Sequence, residues 1–375
     1  MHSLIHSWSL DRMSNEDKRQ NYFLASTVLG NSITFNDEDY AFQRDLIPHL
    51  TSWMSHRRSI GRTTSLTENQ VLIFGHTFFE NGLYNAAEEL LLEVLESRRR
   101  VLGEEHPYTL ETMGNLAWTY NRQGRTEEAE QLQLQVLESR RRVLGAEHPG
   151  TLGTMDNLAS TYYQQGRTEE AEQLDLQVLE SRRRVLGAEH PETLTTMNNL
   201  ALTYYQQGRT GEAEQLQLQV LESRRRVLRV EHPDTLRTMN NLALTYIERG
   251  RTEEAEQLQL QVLESMRRVL GAEHPDTLGT MNNLASTYYR QGRTEEAEQL
   301  QLQVLESMRR VLGAEHPDTL TTMDNLALTY LRQERAEEAE QLFLQVLESR
   351  TRVLGAEHPD TLMTMQDLAN TQRAS

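Results

Sequence analysis

The chain has 375 residues, with 38 Lys and Arg against 56 Asp and Glu, for a formal charge of −18. That acidity argues against non-specific binding to nucleic acid or to anionic membranes, and the absence of cysteine excludes disulfides and thiolate metal sites. Lys18 is the one lysine and lies in Asn-Glu-Asp-Lys-Arg-Gln, so a P-loop ending in Gly-Lys-Ser/Thr is excluded and Schiff-base chemistry has no promising candidate.

Met1 to Leu10 has neither a basic flank nor a sustained apolar run, so no secretory signal is expected. No stretch reaches the ~20 apolar residues of a membrane span. The composition fits a reducing, cytoplasmic compartment. Residues 1–60 differ in composition from the rest and are expected to form a small helical segment. Residues 61–375 are expected to form one repeat array.

The array announces itself by Glu-His-Pro, which recurs seven times at a spacing of 42 residues, from Glu105-His106-Pro107 to Glu357-His358-Pro359. A fixed period of this length marks a solenoid of stacked supersecondary units. In the unit from Pro149 to Gly187, Pro149 suits the first turn of a helix. Met155, Leu158, Ala159 and Tyr162 form one apolar stripe along it. Gln165-Gly166-Arg167 is a turn, and Thr168 is the expected N-cap of a second helix. Glu169, Glu170 and Glu172 at the start of that helix and Arg182, Arg183 and Arg184 near its end complement its dipole. Ala171, Leu174, Val178 and Leu179 supply its inner face, and Gly187 ends it. Such a unit cannot stand alone and needs its neighbours. Thr67 to Gly103 is a divergent first unit, with Gly82 and Ala87 in register, and Thr361 to Arg373 is a last, lone helix of the first type. Arg229 stands where Gly187 and Gly271 end their helices, and Glu334 stands where a glycine joins paired helices. A left-handed non-glycine residue costs roughly 1–2 kcal/mol, so two readings stand open at each position, a bent or loose junction or an ordinary tolerated lapse.

Asn157-Leu158-Ala159, Tyr162, Gly166 and Ala171 resemble the signature of tetratricopeptide (TPR) repeats, with a period longer than the usual 34 residues. The 42-residue unit, with NNLALTYYQQGRTEEAEQL, VLESRRRVLG and EHPDTL, is similar to the repeats of kinesin light chains and related TPR proteins over about residues 65–372. The resemblance implies an all-α fold, a right-handed TPR superhelix (α-solenoid) of about seven helix-turn-helix pairs plus a final lone helix.

The units differ mainly along one stripe of the first helix, in rows represented by Gly153, Asp156, Ser160, Tyr163 and Gln164, opposite the apolar stripe. In TPR superhelices that face lines the concave groove, so the resemblance implies a peptide-binding surface there. Its expected members are Asn115, Trp118, Arg122, Asp156, Asn157, Tyr163, Asn199, Tyr205, Arg237, Asn241, Leu244, Asn283, Tyr289, Arg290, Asn325 and Arg332. The asparagines form one constant row with Asn115 at its head. It looks like the asparagine ladder of the TPR superhelix in O-GlcNAc transferase. Two readings stand open: the amides pair with the backbone of an extended peptide, or each bonds its own scaffold. The stripe is balanced in charge and carries aromatic and aliphatic anchors, so the expected partner is a peptide or protein of mixed character, without nucleic acid or membrane.

No catalytic constellation, cofactor or metal site is expected. The seven histidines lie one per unit, about 10 Å apart if helices pack at 8–10 Å, whereas zinc ligands converge within ~2 Å of the ion. They read as cap residues. Adjacent Glu127 and Glu128 do not face each other, and runs such as Arg98-Arg99-Arg100 read as solvated helix ends.

Met1-His2-Ser3-Leu4-Ile5-His6, Trp8 and Asp11-Arg12-Met13 are similar to a segment near the end of the winged-helix region in fungal NLR-like STAND proteins. Asp39 to Phe42, Arg44 and Leu46-Ile47-Pro48-His49 fit the helical spacer of such proteins. This resemblance implies a non-enzymatic sensor arm, with a separate NB-ARC module or signalling partner. The alternative is a kinesin light chain-type cargo adaptor, but no sustained heptad precedes Thr67.

Overall fold

The computed structural model describes residues 46–55 and 67–374, among which there are sixteen helices and no strand. Of the residues that carry the STAND resemblance, those from Met1 to Arg44 lie outside the described residues, and Leu46 to His49 fall in the first described helix. Helix α1 spans 46–55. Seven antiparallel pairs follow: α2 (Glu68–Glu80) with α3 (Tyr84–Leu102), α4 (Pro107–Arg122) with α5 (Thr126–Leu144), α6 (Pro149–Gln164) with α7 (Thr168–Val185), α8 (Pro191–Gln206) with α9 (Thr210–Val227), α10 (Pro233–Glu248) with α11 (Thr252–Val269), α12 (Pro275–Arg290) with α13 (Thr294–Val311), and α14 (Pro317–Arg332) with α15 (Ala336–Val353). Helix α16 (Pro359–Ala374) stands alone.

Glu-His-Pro restarts the helix at each unit boundary. Each histidine accepts through Nδ1 from the backbone amide two residues on, at 3.1–3.2 Å, and the proline occupies the first helical turn, where its missing N–H is no loss. The glutamate pairs with the third arginine of the next unit's second helix, as Glu147 does with Arg184 and Glu189 with Arg226. A threonine hydroxyl then ties the loop, as when Thr193 donates to the Gly187 carbonyl at 2.8 Å.

Each core cluster draws on two units. Leu137 of α5 meets Leu152, Met155 and Leu158 of α6 and Val178 of α7, and the same pattern recurs with Leu179, Leu194, Met197, Leu200 and Val220. Helix α1 covers the first unit, where Leu50, Trp53 and Met54 pack on Phe74 and Phe78, with Trp53 edge-on to Phe74 at 5.0 Å.

Two local expectations change, and one left open is decided. Arg167, not Thr168, occupies the N-cap of α7, and it makes no side-chain cap bond. Its guanidinium lies 4.1 Å over the Tyr162 ring and bonds Glu130 of the preceding unit at 2.8 Å and Glu170 of its own at 2.5 Å. The same clamp recurs at Arg209, Arg251, Arg293 and Arg335. The arginine runs are not wholly solvated either. Arg98, Arg182, Arg224 and Arg350 are buried, and each guanidinium donates into the first turn of the next first helix. Arg224, for example, donates to the Asp234 carbonyl at 2.8 Å and to the Thr238 hydroxyl at 2.7 Å.

Finally, Arg229 and Glu334 hold the glycine geometry instead of loosening their junctions. Arg229 takes φ +80° where Gly187 takes +96°, and its carbonyl still accepts from His232 N at 3.5 Å and from the Thr235 hydroxyl at 2.9 Å. Glu334 takes φ +63°, and the Arg335 amide still reaches the Tyr330 carbonyl at 2.9 Å. Surrounding units impose the left-handed backbone on side chains that resist it. Arg229→Gly and Glu334→Gly should therefore each raise stability by about 1 kcal/mol, read from urea melts; a loss of stability at either site would refute the strain.

The array curls far enough to touch itself. His316 Nε2 lies 3.2 Å from the Glu80 carbonyl and His358 Nε2 lies 3.4 Å from the Arg122 carbonyl, both across 236 residues. The loops that open α14 and α16 thus rest on the turns that close α2 and α4.

Candidate recognition groove

Neighbouring first helices touch directly. Asn121 Nδ2 donates to the Thr161 hydroxyl at 2.8 Å, and Asn240 Nδ2 to the Thr280 hydroxyl at 2.8 Å. The first helices therefore form the inner wall of the curve. Rotation along each helix decides which side chains meet the neighbour and which face the open side.

The asparagine row is on the open side, exposed at Asn115 and Asn157 and half-buried at Asn199, Asn241, Asn283 and Asn325. Asn241 Nδ2 donates to Asn198 Oδ1 at 3.3 Å. The side-chain amides of Asn115, Asn157, Asn199, Asn283 and Asn325 make no hydrogen bond to any described residue. Trp118 is 40 % exposed. It lines a hollow of about 550 Å³ with Leu72, His76, Phe79, Glu111 and Asn115. Arg237, Asn241, Asn283, Asp318 and Thr321 line a second hollow of about 340 Å³. Tyr289, Arg290 and Arg332 border a third, more open one with Ile247; there Arg332 lies 4.4 Å over the Tyr289 ring and Arg290 pairs with Glu248 at 2.8 Å. Leu244, Tyr163 and Tyr205 are half-buried, and burial raises the pKa of both tyrosines.

Two expected groove residues are committed elsewhere. Asp156, whose side chain is 13 % exposed, pairs with buried Arg182 at 2.5 Å and accepts from the Thr196 hydroxyl at 3.2 Å. Its row faces the neighbouring helix, as buried Asn198 confirms. Arg122 donates through Nε to the Tyr84 hydroxyl at 3.2 Å and belongs to the contact between superhelical turns. Conversely, His76 and Phe79 of α2 line the first hollow but escape the sequence reading, since the first unit diverges. The 42-residue register alone would have placed His76 in the row of Trp118.

Asp175 is another residue that pattern reading passed over. It takes the place of Gln133, Gln217, Gln259 and Gln301, whose side-chain carbonyls accept from Thr161, Thr245, Thr287 and Thr329 at 2.7–2.9 Å. Asp175 accepts from the Thr203 hydroxyl at 3.2 Å, but Oδ1 is buried without a partner. Burial pushes its pKa up to about 7, helped by the charge of Asp156. Burial also pushes Asp156 up to about 6, against the pull of Arg182.

Both carboxyls hold their protons more tightly in the folded chain than in the unfolded one, where a value near ~3.9 applies. The resulting stability is complete below that value and is lost as pH rises through about 6–7. Asp175→Gln should raise stability at pH ~8 by about 1–3 kcal/mol and reduce the difference between melts at pH ~8 and pH ~5. An unchanged difference would show that Asp175 does not titrate there.

No helix among the described residues is long and apolar enough to cross a membrane. The sequence matches the family model for the tetratricopeptide repeat in overlapping segments from residues 69–142 to residues 325–375. A crystal structure of a putative kinesin light chain with nearly identical TPR-like repeats from Podosopora anserina is 34% identical. The match covers 55% of this chain and 98% of that one, with a TM-score of 0.45. The apo form of the quorum sensor NprR from B. thuringiensis is 17% identical over 83% of this chain and 86% of that one, with a TM-score of 0.54. Apo RapI is 14% identical over 77% of this chain and 99% of that one, also with a TM-score of 0.54; these last two likenesses concern the fold alone. No curated protein sequence matches the chain. With its model matched from residue 69 to residue 375 and a solenoid of helix pairs beneath it, the chain belongs to the tetratricopeptide repeat family.

Proposed function

We propose that this chain is a non-enzymatic recognition scaffold that binds an extended peptide or protein segment along the inner wall of its first helices. The observation that carries the reading is the row of side-chain amides at Asn115, Asn157, Asn199, Asn283 and Asn325, which make no hydrogen bond to any described residue. An amide offers a donor and an acceptor together, so one per unit matches the alternating carbonyls and N–H groups of an extended backbone. Trp118 and the hollow beside it offer an apolar anchor. Arg237, Arg290 and Arg332 stand among Glu248 and Asp318, which favours a ligand of mixed character. The N-terminal resemblance supports a finer reading, in which the scaffold is the cytoplasmic sensor arm of an NLR-like signalling protein and works with a separate NB-ARC module.

The test is a random peptide library panned on the full chain and on a variant carrying Asn157→Ala, Asn199→Ala and Asn283→Ala. These positions bear no scaffold bond, so helical circular dichroism should be unchanged while affinity falls at least ~10-fold, or about 1.4 kcal/mol. Equal binding by parent and variant would remove the asparagine row from recognition.

A further inference from the structure

The contact between superhelical turns is made by two surfaces that most units carry. One is the turn joining paired helices, with its positive-φ glycine and the preceding free carbonyl. The other is the His-Pro start of a first helix. Where they meet, they fit closely. Gly82 is buried, and a Cβ added there would collide with the Pro317 ring; at Gly124 it would come within 2.7 Å of Pro359 Cδ. The His316 and His358 side chains are 6 % and 9 % exposed, against 40 % for His232. Asp318 and Asp360 lie close enough to Arg122 to favour its charge. Two successive units make this contact with the same 236-residue offset, so it is a repeating register of the superhelix.

Elsewhere the same surfaces are bare. The turns at Gly166, Gly208, Gly250 and Gly292 keep the φ of Gly82, but nothing among the described residues lies within 4 Å of a Cβ placed there. These glycines are exposed, and so are Pro107, Pro149 and Pro191. Each first helix runs from its His-Pro start to its turn, so the starts form one rim of the coil and the turns form the opposite rim. The fit seen between Gly82 and Pro317 is thus offered, unfilled, on both rims of the same molecule.

We infer that a second copy of this chain docks coaxially, seating its His-Pro rim on the bare turn rim of the first, in the register that the chain already uses on itself. The near-identity of the units supplies the complementarity: Gly208 and His190 present the same backbone shapes as Gly124 and His358. The contact is heterologous, joining one rim to the opposite one. It leaves a free rim at each end and so builds an open series, not a closed dimer. Glu334 marks the limit of the turn rim, since a side chain there fills the space that the proline ring requires.

Sedimentation velocity of the full chain over a broad concentration range tests this. The weight-average mass should climb past that of a dimer. A turn-rim variant, Gly166→Asn with Gly208→Asn and Gly250→Asn, adds a Cβ using the residue that best tolerates this backbone. A start-rim variant, Pro107→Glu with Pro149→Glu and Pro191→Glu, removes the docking ring at exposed first-turn positions. Each variant alone should remain monomeric with helical circular dichroism like that of the parent, and the two mixed should stop at a 1:1 dimer. A parent that stays monomeric throughout overturns the inference. So does association that neither rim variant reduces, or a mixture that grows beyond 1:1.

Discussion

No unit of this chain owns a core, and everything else follows from that constraint. Leu152, Met155 and Leu158 of one first helix are buried only because Leu137 from the preceding unit and Val178 from their own close over them. Folding therefore propagates through interfaces, and stability is the sum of what neighbours contribute to one another. The same constraint explains the ends. Leu362 and Met365 of α16 occupy the places of Leu320 and Met323, yet they are 47 % and 38 % exposed while their counterparts are 1 % exposed. At the other end α1 closes the first unit with Leu50 and Trp53.

Apolar packing makes the units adhere, and a polar layer sets the angle between them. The arginine that opens each second helix from α5 onward is stacked on a tyrosine of its own unit and held by a glutamate of the unit before. Individually such half-exposed pairs are weak. Repeated at each boundary with the same geometry, they leave little freedom in the relative rotation of consecutive units. Beneath them, buried Arg182, Arg224 and Arg350 tie one second helix to the start of the next first helix. A constant rotation per unit compounds into a coil, and here the coil is tight enough for one turn to rest on another.

The inner wall shows how one helix divides its labour. Rows three and four residues apart share a face, but the row of Asp156 and Asn198 is rotated onto the neighbouring helix and the row of Asn157 and Asn199 is rotated away from it. One row holds the scaffold and the other, apart from Asn241, makes no side-chain hydrogen bond to a described residue. Near-identical units have copied both, so the wall presents the same amide again and again while its neighbours at Trp118, Arg237 and Tyr289 vary the chemistry around it.

The helix pairs, their boundaries and the repeat period were legible in the sequence because they depend on local rules: Pro149 in a first turn, Gly187 at a helix end, and an apolar stripe with a period of 3.6. The open placement of Asn157 and Trp118 was legible in part, through variation along one stripe. What pattern could not decide was the direction of a side chain relative to a neighbour that it had not yet met. Asp156 and Arg182 are charged and look solvated, yet they find each other within one helix pair at 2.5 Å, where the next first helix closes over them through Thr196. Arg229 and Glu334 break a local rule that the surrounding array then enforces. The contact of His316 with Glu80 lies furthest from sequence, because it depends on small inter-unit rotations accumulated over 236 residues. The sequence by itself determined the unit; the rotation between units, and with it the wall, the rims and their meeting, was decided only when the interfaces packed.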